Sequence, residues 1–239
     1  MRSVPILRAV LLSAQGLTRT YRLGTQMVTG ISEASLSLDA GEFAVLAGPS
    51  GSGKTTLLNC LGLLDTPDSG TLVFEGRDVS GLSDKERARV RRERLGFVFQ
   101  NSQLIPVLTA EENVSLALWI REYSDAESKS RAREALAAVG LGGMEDRKPD
   151  ALSGGQRQRV AVARAIVGKP ALILADEPTA SLDSETSRKL LDLFDALHTK
   201  LGVTFLFSSH DPRMIERAAR RIDLLDGKIV SDRIVREAA

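Results

Sequence analysis

Gly48-Pro49-Ser50-Gly51-Ser52-Gly53-Lys54-Thr55 brings three glycines, a lysine and a hydroxyl together within eight residues. Glycines without a Cβ let neighbouring backbone N–H groups converge on one anion. The spacing is G-x-x-x-x-G-K-[ST], which is informative only between a strand and a helix. Phe43–Ala47 ahead of it is short and wholly apolar, as a strand buried on both faces requires, and Lys54–Leu64 reads as the following helix. The positive end of that helix would add to the cradle. This is a site for the phosphates of a nucleoside triphosphate, with Lys54 on the β- and γ-phosphates and the Thr55 hydroxyl on Mg2+. The spacing alone does not separate kinases, GTPases, helicases and transport ATPases.

Two adjacent carboxylates, Asp176 and Glu177, end a second apolar run, Leu172–Ala175. Open α/β sheets bind ligands beyond the carboxyl ends of their strands, so both acids should face the phosphate loop. Successive strand residues point apart, which assigns them different work. Asp176 suits Mg2+, and Glu177 suits orienting and deprotonating the water that attacks the γ-phosphate. A third constellation, Leu152-Ser153-Gly154-Gly155-Gln156, precedes a helix expected to begin near Arg157. Ser153 taken singly is an ordinary N-cap. With the two other motifs present, small residues at a helix start form a second anion site. One nucleotide needs one cradle, but two copies arranged head to tail can each complete the other's pocket.

The elements that would hold these residues alternate between strand and helix. Strand-and-turn patterning runs from Leu12 to Leu46, with Leu36 and Leu38 alternating against Ser37 and Asp39. A β-rich patch covers Gly70–Phe74, a charged helix Ser83–Arg94, and a strand Leu95–Phe99. From Asn101 to Val167 only helical spacing appears, as in Ala132, Ala135, Leu136 and Val139. Strand Val203–Phe207, helix Pro212–Ala219 and a hairpin Ile222–Val230 turned at Asp226-Gly227 close the chain, after a helix marked by Leu190, Phe194, Leu197 and Leu201. The fold class is α/β with a parallel sheet. We expect one domain, 1–239, with a core over 1–100 and 165–239 and a helical subdomain inserted at 101–164.

Bulk properties exclude several alternatives. A net charge of +1 and 4% aromatic residues give no electrostatic or stacking surface for nucleic acid. No segment approaches the ~20 apolar residues that span a bilayer. Pro5 and Arg8 interrupt the apolar Val4–Leu12 stretch, so a first strand with a short leader fits better than a signal peptide. Cys60 is the only cysteine, which suits a reducing compartment, and it reads as a small core residue. The basic run Lys85–Arg94 reads as a solvated helix face.

Over its whole length the sequence resembles an ABC transporter nucleotide-binding domain. Gly48–Thr55 resembles Walker A, Leu172–Glu177 Walker B, and Leu152–Gln156 the ABC signature. The resemblance implies a P-loop NTPase (RecA-like) core with an N-terminal antiparallel β subdomain and an inserted α-helical subdomain. It implies Gln100 as the Q-loop glutamine contacting Mg2+ and water, and Asp183, in Ser181-Leu182-Asp183, at a dimer interface. His210 would be the switch histidine at the γ-phosphate and Tyr21 an aromatic stacked on adenine, with Thr56 beside the nucleotide. Asp183 also reads as a helix cap before Glu185, and Tyr21 as a half-buried strand residue. The family more often has glycine or serine at Ala180 and a hydrophobic-threonine pair at Ser208-Ser209; neither departure removes an expected phosphate or metal contact.

Arg92–Gln100, Leu104-Ile105-Pro106 and Leu108–Val114 resemble the branch of lipoprotein-release and macrolide-export ATPases. The resemblance implies ATP with Mg2+, a homodimer, and a separate membrane permease. The largely apolar Leu104–Leu108 reads either as subdomain core or, as we favour, as a groove that receives a short helix of that permease. It also implies a place on the cytoplasmic face of the cell membrane. Soluble ABC ATPases of translation or DNA maintenance differ in carrying tandem copies or long insertions. A non-hydrolysing regulatory module is disfavoured by the intact Glu177 and His210.

Overall fold

The computed structural model describes residues 9–235. The first described strand, β1 (Val10–Leu23), turns at Gly24 into β2 (Gln26–Asp39) as a long antiparallel hairpin. Val4–Arg8, assigned above to a leader and first strand, lies outside the described residues. β1 also pairs with β4 (Ser69–Phe74), and the two-residue β5 (Arg77–Asp78) completes an antiparallel sheet ordered β2-β1-β4-β5.

The second sheet carries the site. It is ordered β10-β9-β3-β8-β7-β6, from β3 (Phe43–Ala47), β6 (Leu95–Val98), β7 (Leu172–Asp176), β8 (Thr204–Ser209), β9 (Arg220–Leu225) and β10 (Lys228–Ile234). Every neighbouring pair is parallel except β9–β10. All five residues of β3 and all six of β8 are buried, as expected for central strands covered on both faces. Alternation assigns the two faces. Phe43, Val45, Ile173, Phe205 and Phe207 join one core cluster, while Ala44, Leu46, Leu172, Leu174 and Leu206 join the other. α1 (Lys54–Leu61) and the antiparallel sheet cover the second face.

Between β6 and β7 the chain forms helices and no strand: α3 (Ala110–Trp119), α4 (Asp125–Ala138) and α5 (Gly154–Ile166). Ala132, Ala135, Leu136 and Val139 are buried there, as their spacing requires. α2 (Asp84–Arg94) opens with a capping box between Ser83 and Glu86 and buries no residue. In α6 (Ser184–Leu201) Leu190, Phe194 and Leu197 enter the core, but Leu201, expected on the same face, is 52% exposed at the helix end.

α7 (Pro212–Arg217) is shorter than its sequence pattern suggests. Ala218 turns extended and the Ala219 N–H bonds the Phe43 carbonyl, which pulls the chain into β9. The β9–β10 turn falls at Asp226 and Gly227, both at positive φ, as expected for a two-residue hairpin. Cys60 is fully buried.

Candidate nucleotide site

The strand order sets the geometry. β8 lies between β3 and β7, so the segments leaving the three carboxyl ends are neighbours: Gly48–Gly53 after β3, His210 after β8 and Glu177 after β7. Gln100 follows β6 on the same edge and is exposed.

The loop is shaped by contacts that only glycine permits. A Cβ on Gly53 (φ 99°) would lie 2.1 Å from the Gly30 carbonyl oxygen, and one on Gly48 would lie 2.2 Å from that of Leu224. Gly51 (φ 80°) faces open space. The hairpin turn supports the loop from below, with the Gly227 N–H donating to the Ser52 carbonyl at 2.9 Å. Sequence reasoning missed this brace, since Gly227 is about 175 residues away in the chain and looks like an ordinary turn glycine.

The cradle fits a polyanion. α1 has no side-chain cap, and the N–H groups of Gly51, Gly53, Lys54, Thr55 and Thr56 have no acceptor among the described residues. Helix N–H groups left open in this way are natural phosphate donors. The buried Ser52 hydroxyl is likewise unpartnered. Pro49 and Ser50 are exposed on the outer rim of the loop. The Lys54 ammonium, buried at the loop's centre, bridges the Gly48 and Pro49 carbonyls at 2.9 Å each.

The two acids occupy different settings. Asp176 ends β7, and its carboxylate accepts from the Thr55 hydroxyl at 3.0 Å and from the Ser208 hydroxyl. A threonine hydroxyl and one carboxylate match the sparse protein ligation of Mg2+, which keeps water and substrate phosphates as its other ligands. Glu177 is not a strand residue. Its φ of 44° turns the chain, and its N–H bonds the Ser208 carbonyl at 3.0 Å. One carboxylate oxygen, Oε1, lies 2.8 Å from His210 Nδ1 and 3.8 Å from Lys54 Nζ. Strand alternation was therefore the wrong reason for separating the acids; a left-handed residue at the strand end separates them.

The Ser208-Ser209 departure, expected only to remove no phosphate or metal contact, adds a contact from the Ser208 hydroxyl to the Asp176 carboxylate. The pairing of Asp176 with Ser208 across β7 and β8 brings that hydroxyl to the carboxylate. Ser209, equally buried, accepts the Asp211 N–H at 3.0 Å and fixes the turn that presents His210.

At the far end of the loop, Gly30 holds Tyr21 and Thr56 together: a Cβ there would meet Thr56 at 2.8 Å and Tyr21 at 3.0 Å. The Tyr21 hydroxyl donates to Asp65 at 2.7 Å, and the Arg19 guanidinium sits 4.9 Å from the ring centroid. Burial, then the Asp65 contact, raises the Tyr21 pKa. Burial of Asp65 works against its ionisation, but bonds from Tyr21, the Thr66 N–H and Arg19 outweigh it and hold the carboxyl below the usual range. Arg19 covers part of the ring.

The second cradle stands apart. α5 begins at Gly154 rather than near Arg157, so Gly154, Gly155 and Gln156 form its first turn. Ser153 and Gln156 make a capping box that leaves the Gly154 and Gly155 N–H groups without partners among the described residues. A Cβ on Gly155 would lie 2.3 Å from Thr186 Cγ2. Asp183 caps α6 through the Glu185 and Thr186 N–H groups; the Thr186 side chain first, then these backbone donors, hold its carboxyl below the usual range. Ser181 donates to the Gln100 carbonyl at 3.2 Å. Among the described residues no hydrogen bond or ion pair joins Ser153–Gln156 to Gly48–Thr55.

A cleft of about 560 Å3 opens between α2, β6 and the helices, lined by Leu64, Phe97, Phe99, Ile120, Arg91, Arg121 and Arg164 among others. Arg92 and Glu93, also in the lining, pair with each other at 3.8 Å, while the Arg91, Arg121 and Arg164 guanidiniums donate to backbone carbonyls of Leu63, Glu93, Gly168, Ser102 and Gln103. None of these three pairs with a carboxylate among the described residues. The α2 face is thus less uniformly solvated than its charge pattern suggests, because Arg91 turns into the cleft. Leu104 packs on the core, while Ile105 and Val107 are exposed and lie outside the cleft lining.

A parallel sheet with a glycine cradle and two acids at one edge, plus an inserted helical unit with its own cradle, defines a P-loop ATPase cassette. The ABC transporter family profile matches residues 31–180, and the chain belongs to that family. It is 43% identical over 222 residues to the ABC transporter ATP-binding protein YvrO of Bacillus subtilis, covering 93% of this chain and 96% of that protein. The lipoprotein-releasing system ATP-binding protein LolD of Bordetella pertussis is 41% identical over 92% of this chain and 96% of its own length. The macrolide export ATP-binding/permease protein MacB of Syntrophobacter fumaroxidans is 45% identical over 92% of this chain, a match spanning 31% of that protein. The solved dimeric cassette MJ0796 bound to ADP and Pi superposes with a TM-score of 0.87 at 39% identity, over 95% of this chain and all of that one.

Proposed function

We propose that this chain is the ATP-hydrolysing subunit of a LolD/MacB-type transporter, closing as a head-to-tail homodimer around two ATP molecules to drive a separate permease. The triphosphate lies on Gly48–Thr55 with Lys54 at its β- and γ-phosphates, Thr56 and Tyr21 beside the nucleoside. Thr55, Asp176 and Gln100 hold Mg2+, which would neutralise phosphate charge as the bond to the leaving group breaks. Ser153, Gly154, Gly155 and Gln156 of the second copy complete the γ-phosphate cradle, with Gly154 and Gly155 supplying its open N–H groups, and Asp183 lies at the seam. Glu177 takes a proton from the attacking water, and His210 holds that carboxylate in place.

The single observation that carries this reading is the Glu177 carboxylate, gripped by His210 at 2.8 Å within reach of Lys54 at 3.8 Å. It stands at the sheet edge where the loop's N–H groups lie open. Glu177→Gln keeps the shape and removes the base. Turnover should fall by about 10²–10⁴ while ATP still binds, and the nucleotide-loaded dimer should accumulate in sedimentation. Rapid turnover in this variant would remove Glu177 from the role.

The helical unit 101–164 acts as a subdomain that carries the signature toward the partner's loop. The arginine-lined cleft receives the permease segment, whose carboxylates would pair with Arg91, Arg121 and Arg164. Burial lowers the pKa of both Arg91 and Arg164, which marks guanidiniums short of compensating charge. Among the described residues no helix is long and apolar enough to cross a membrane. The permease would therefore hold the subunit on the cytoplasmic face of the inner membrane.

A further inference from the structure

We propose that Ser208 is a positioning residue that sets the Asp176 carboxylate for Mg2+, an inference that rests on Asp176 being the metal carboxylate. Ser208 is fully buried and its hydroxyl donates to Asp176 Oδ1. The Thr55 hydroxyl sits nearer the other oxygen, at 3.0 Å from Oδ2 against 3.2 Å from Oδ1. Thr55 reaches both oxygens and Ser208 bonds one of them, so the β8 hydroxyl limits rotation of a carboxylate that faces the phosphate loop. The same residue's carbonyl accepts the Glu177 N–H at 3.0 Å, so one position in β8 braces both acids.

The chemistry makes the hydroxyl matter most once metal is bound. Thr55 is itself assigned to Mg2+, so its hydroxyl oxygen then has a second claim on its geometry. Among the described residues the Ser208 hydroxyl has no second hydrogen-bond partner, and its backbone is fixed in a six-residue strand paired on both sides. A buried donor aimed at one oxygen of a metal ligand orients that ligand. An apolar residue at this position leaves the carboxylate free to rotate about its last bond, with Thr55 as its only hydroxyl partner.

The experiment uses the full chain and a fluorescent ATP analogue, titrated with and without Mg2+. Ser208→Ala should bind the analogue within about twofold of wild type in the absence of Mg2+. Its Mg2+ concentration for half-maximal tight binding should rise by about 10- to 100-fold, the usual cost of removing a group that orients a ligand. Ser208→Thr, which keeps the hydroxyl, should restore the wild-type titration; where its extra methyl prevents folding, Ser208→Cys, a weaker donor, should fall between Ala and wild type. A wild-type Mg2+ midpoint in Ser208→Ala overturns the proposal. So does an equal loss of affinity with and without Mg2+, which would mark a merely structural role. Asp176→Asn is titrated alongside. If it too behaves as wild type, the assignment of Asp176 has failed; if it loses the Mg2+ effect while Ser208→Ala keeps it, the inference about Ser208 alone has failed.

Discussion

Cys60 illustrates how far a single residue's fate follows from its surroundings. It lies on the buried face of α1, and burial first, then the negative charge of Asp65, lifts its thiol from 9.0 to about 12. Thiolate is the reactive form, so the folded protein should resist alkylation at pH 8 and react only as it unfolds. The linkage has a definite sign. The folded state keeps its proton where the unfolded chain has lost it, so this group's contribution is intact below about pH 9 and drains away between 9 and 12. Denaturant melts across that window, compared with Cys60→Ala, check it: the variant should lose less stability on going from pH 8 to 11. At this scale the sequence was legible wherever chemistry is local. Lys54, Thr55, Asp176, Glu177 and His210 all stand where their motifs placed them. Ser208, Gly227 and Thr186 were not legible, because their importance lies in what they touch across more than 25 residues of chain. Even Glu177, placed correctly, carried a left-handed backbone that alternation along a strand does not foretell.

Between elements, the packing of α5 against the start of α6 explains a glycine that phosphate binding alone would not fully explain. Gly155 faces Thr186 Cγ2, and a Cβ would sit at 2.3 Å from it but 3.7 Å from Thr186 Cβ. Gly155→Ala should therefore cost about 1–3 kcal/mol through overpacking. Thr186→Ser deletes the offending methyl, and the double variant should recover most of that loss, with a coupling energy of about 0.5–3 kcal/mol by thermal or chemical melts. Additive losses would show that the two residues do not meet as described. Stability and catalysis should separate in this pair, since an Ala at 155 still crowds the cradle offered to the partner's nucleotide. The same elements show what periodicity can and cannot fix. Apolar spacing located α4, α5 and α6 because burial on one face demands it. It missed the start of α5, because the first turn is set by the Ser153–Gln156 capping box rather than by apolar residues, and it overextended α7, because a backbone bond to Phe43 draws Ala219 into β9.

The whole molecule raises a question of arithmetic: two cradles of open N–H groups, and one nucleotide per chain. Within one chain the phosphate loop is bounded by residues 30–31, 224 and 227, whereas the signature is bounded by Met144, Leu182 and Thr186. Their neighbours do not overlap, so one phosphate cannot satisfy both unless a second copy supplies one of them. Head-to-tail pairing with two-fold symmetry satisfies both at once. That geometry can be tested by complementation. A Lys54→Met chain lacks a working loop, and a Ser153→Arg chain lacks a working signature; each homodimer should be inactive. In a mixed dimer both defects fall on the same composite site, and the other site is built wholly from unmutated parts. An equal mixture places half the dimers in that form, with one intact site of two, so ATPase activity should return to about a quarter of the wild-type level if chains exchange freely and the sites turn over independently. Activity appearing on mixing two dead preparations is hard to obtain any other way. A pocket completed within its own chain predicts none at any ratio. The recovered activity should also track the fraction of mixed dimers as the ratio is varied, peaking at equal amounts and vanishing at either end.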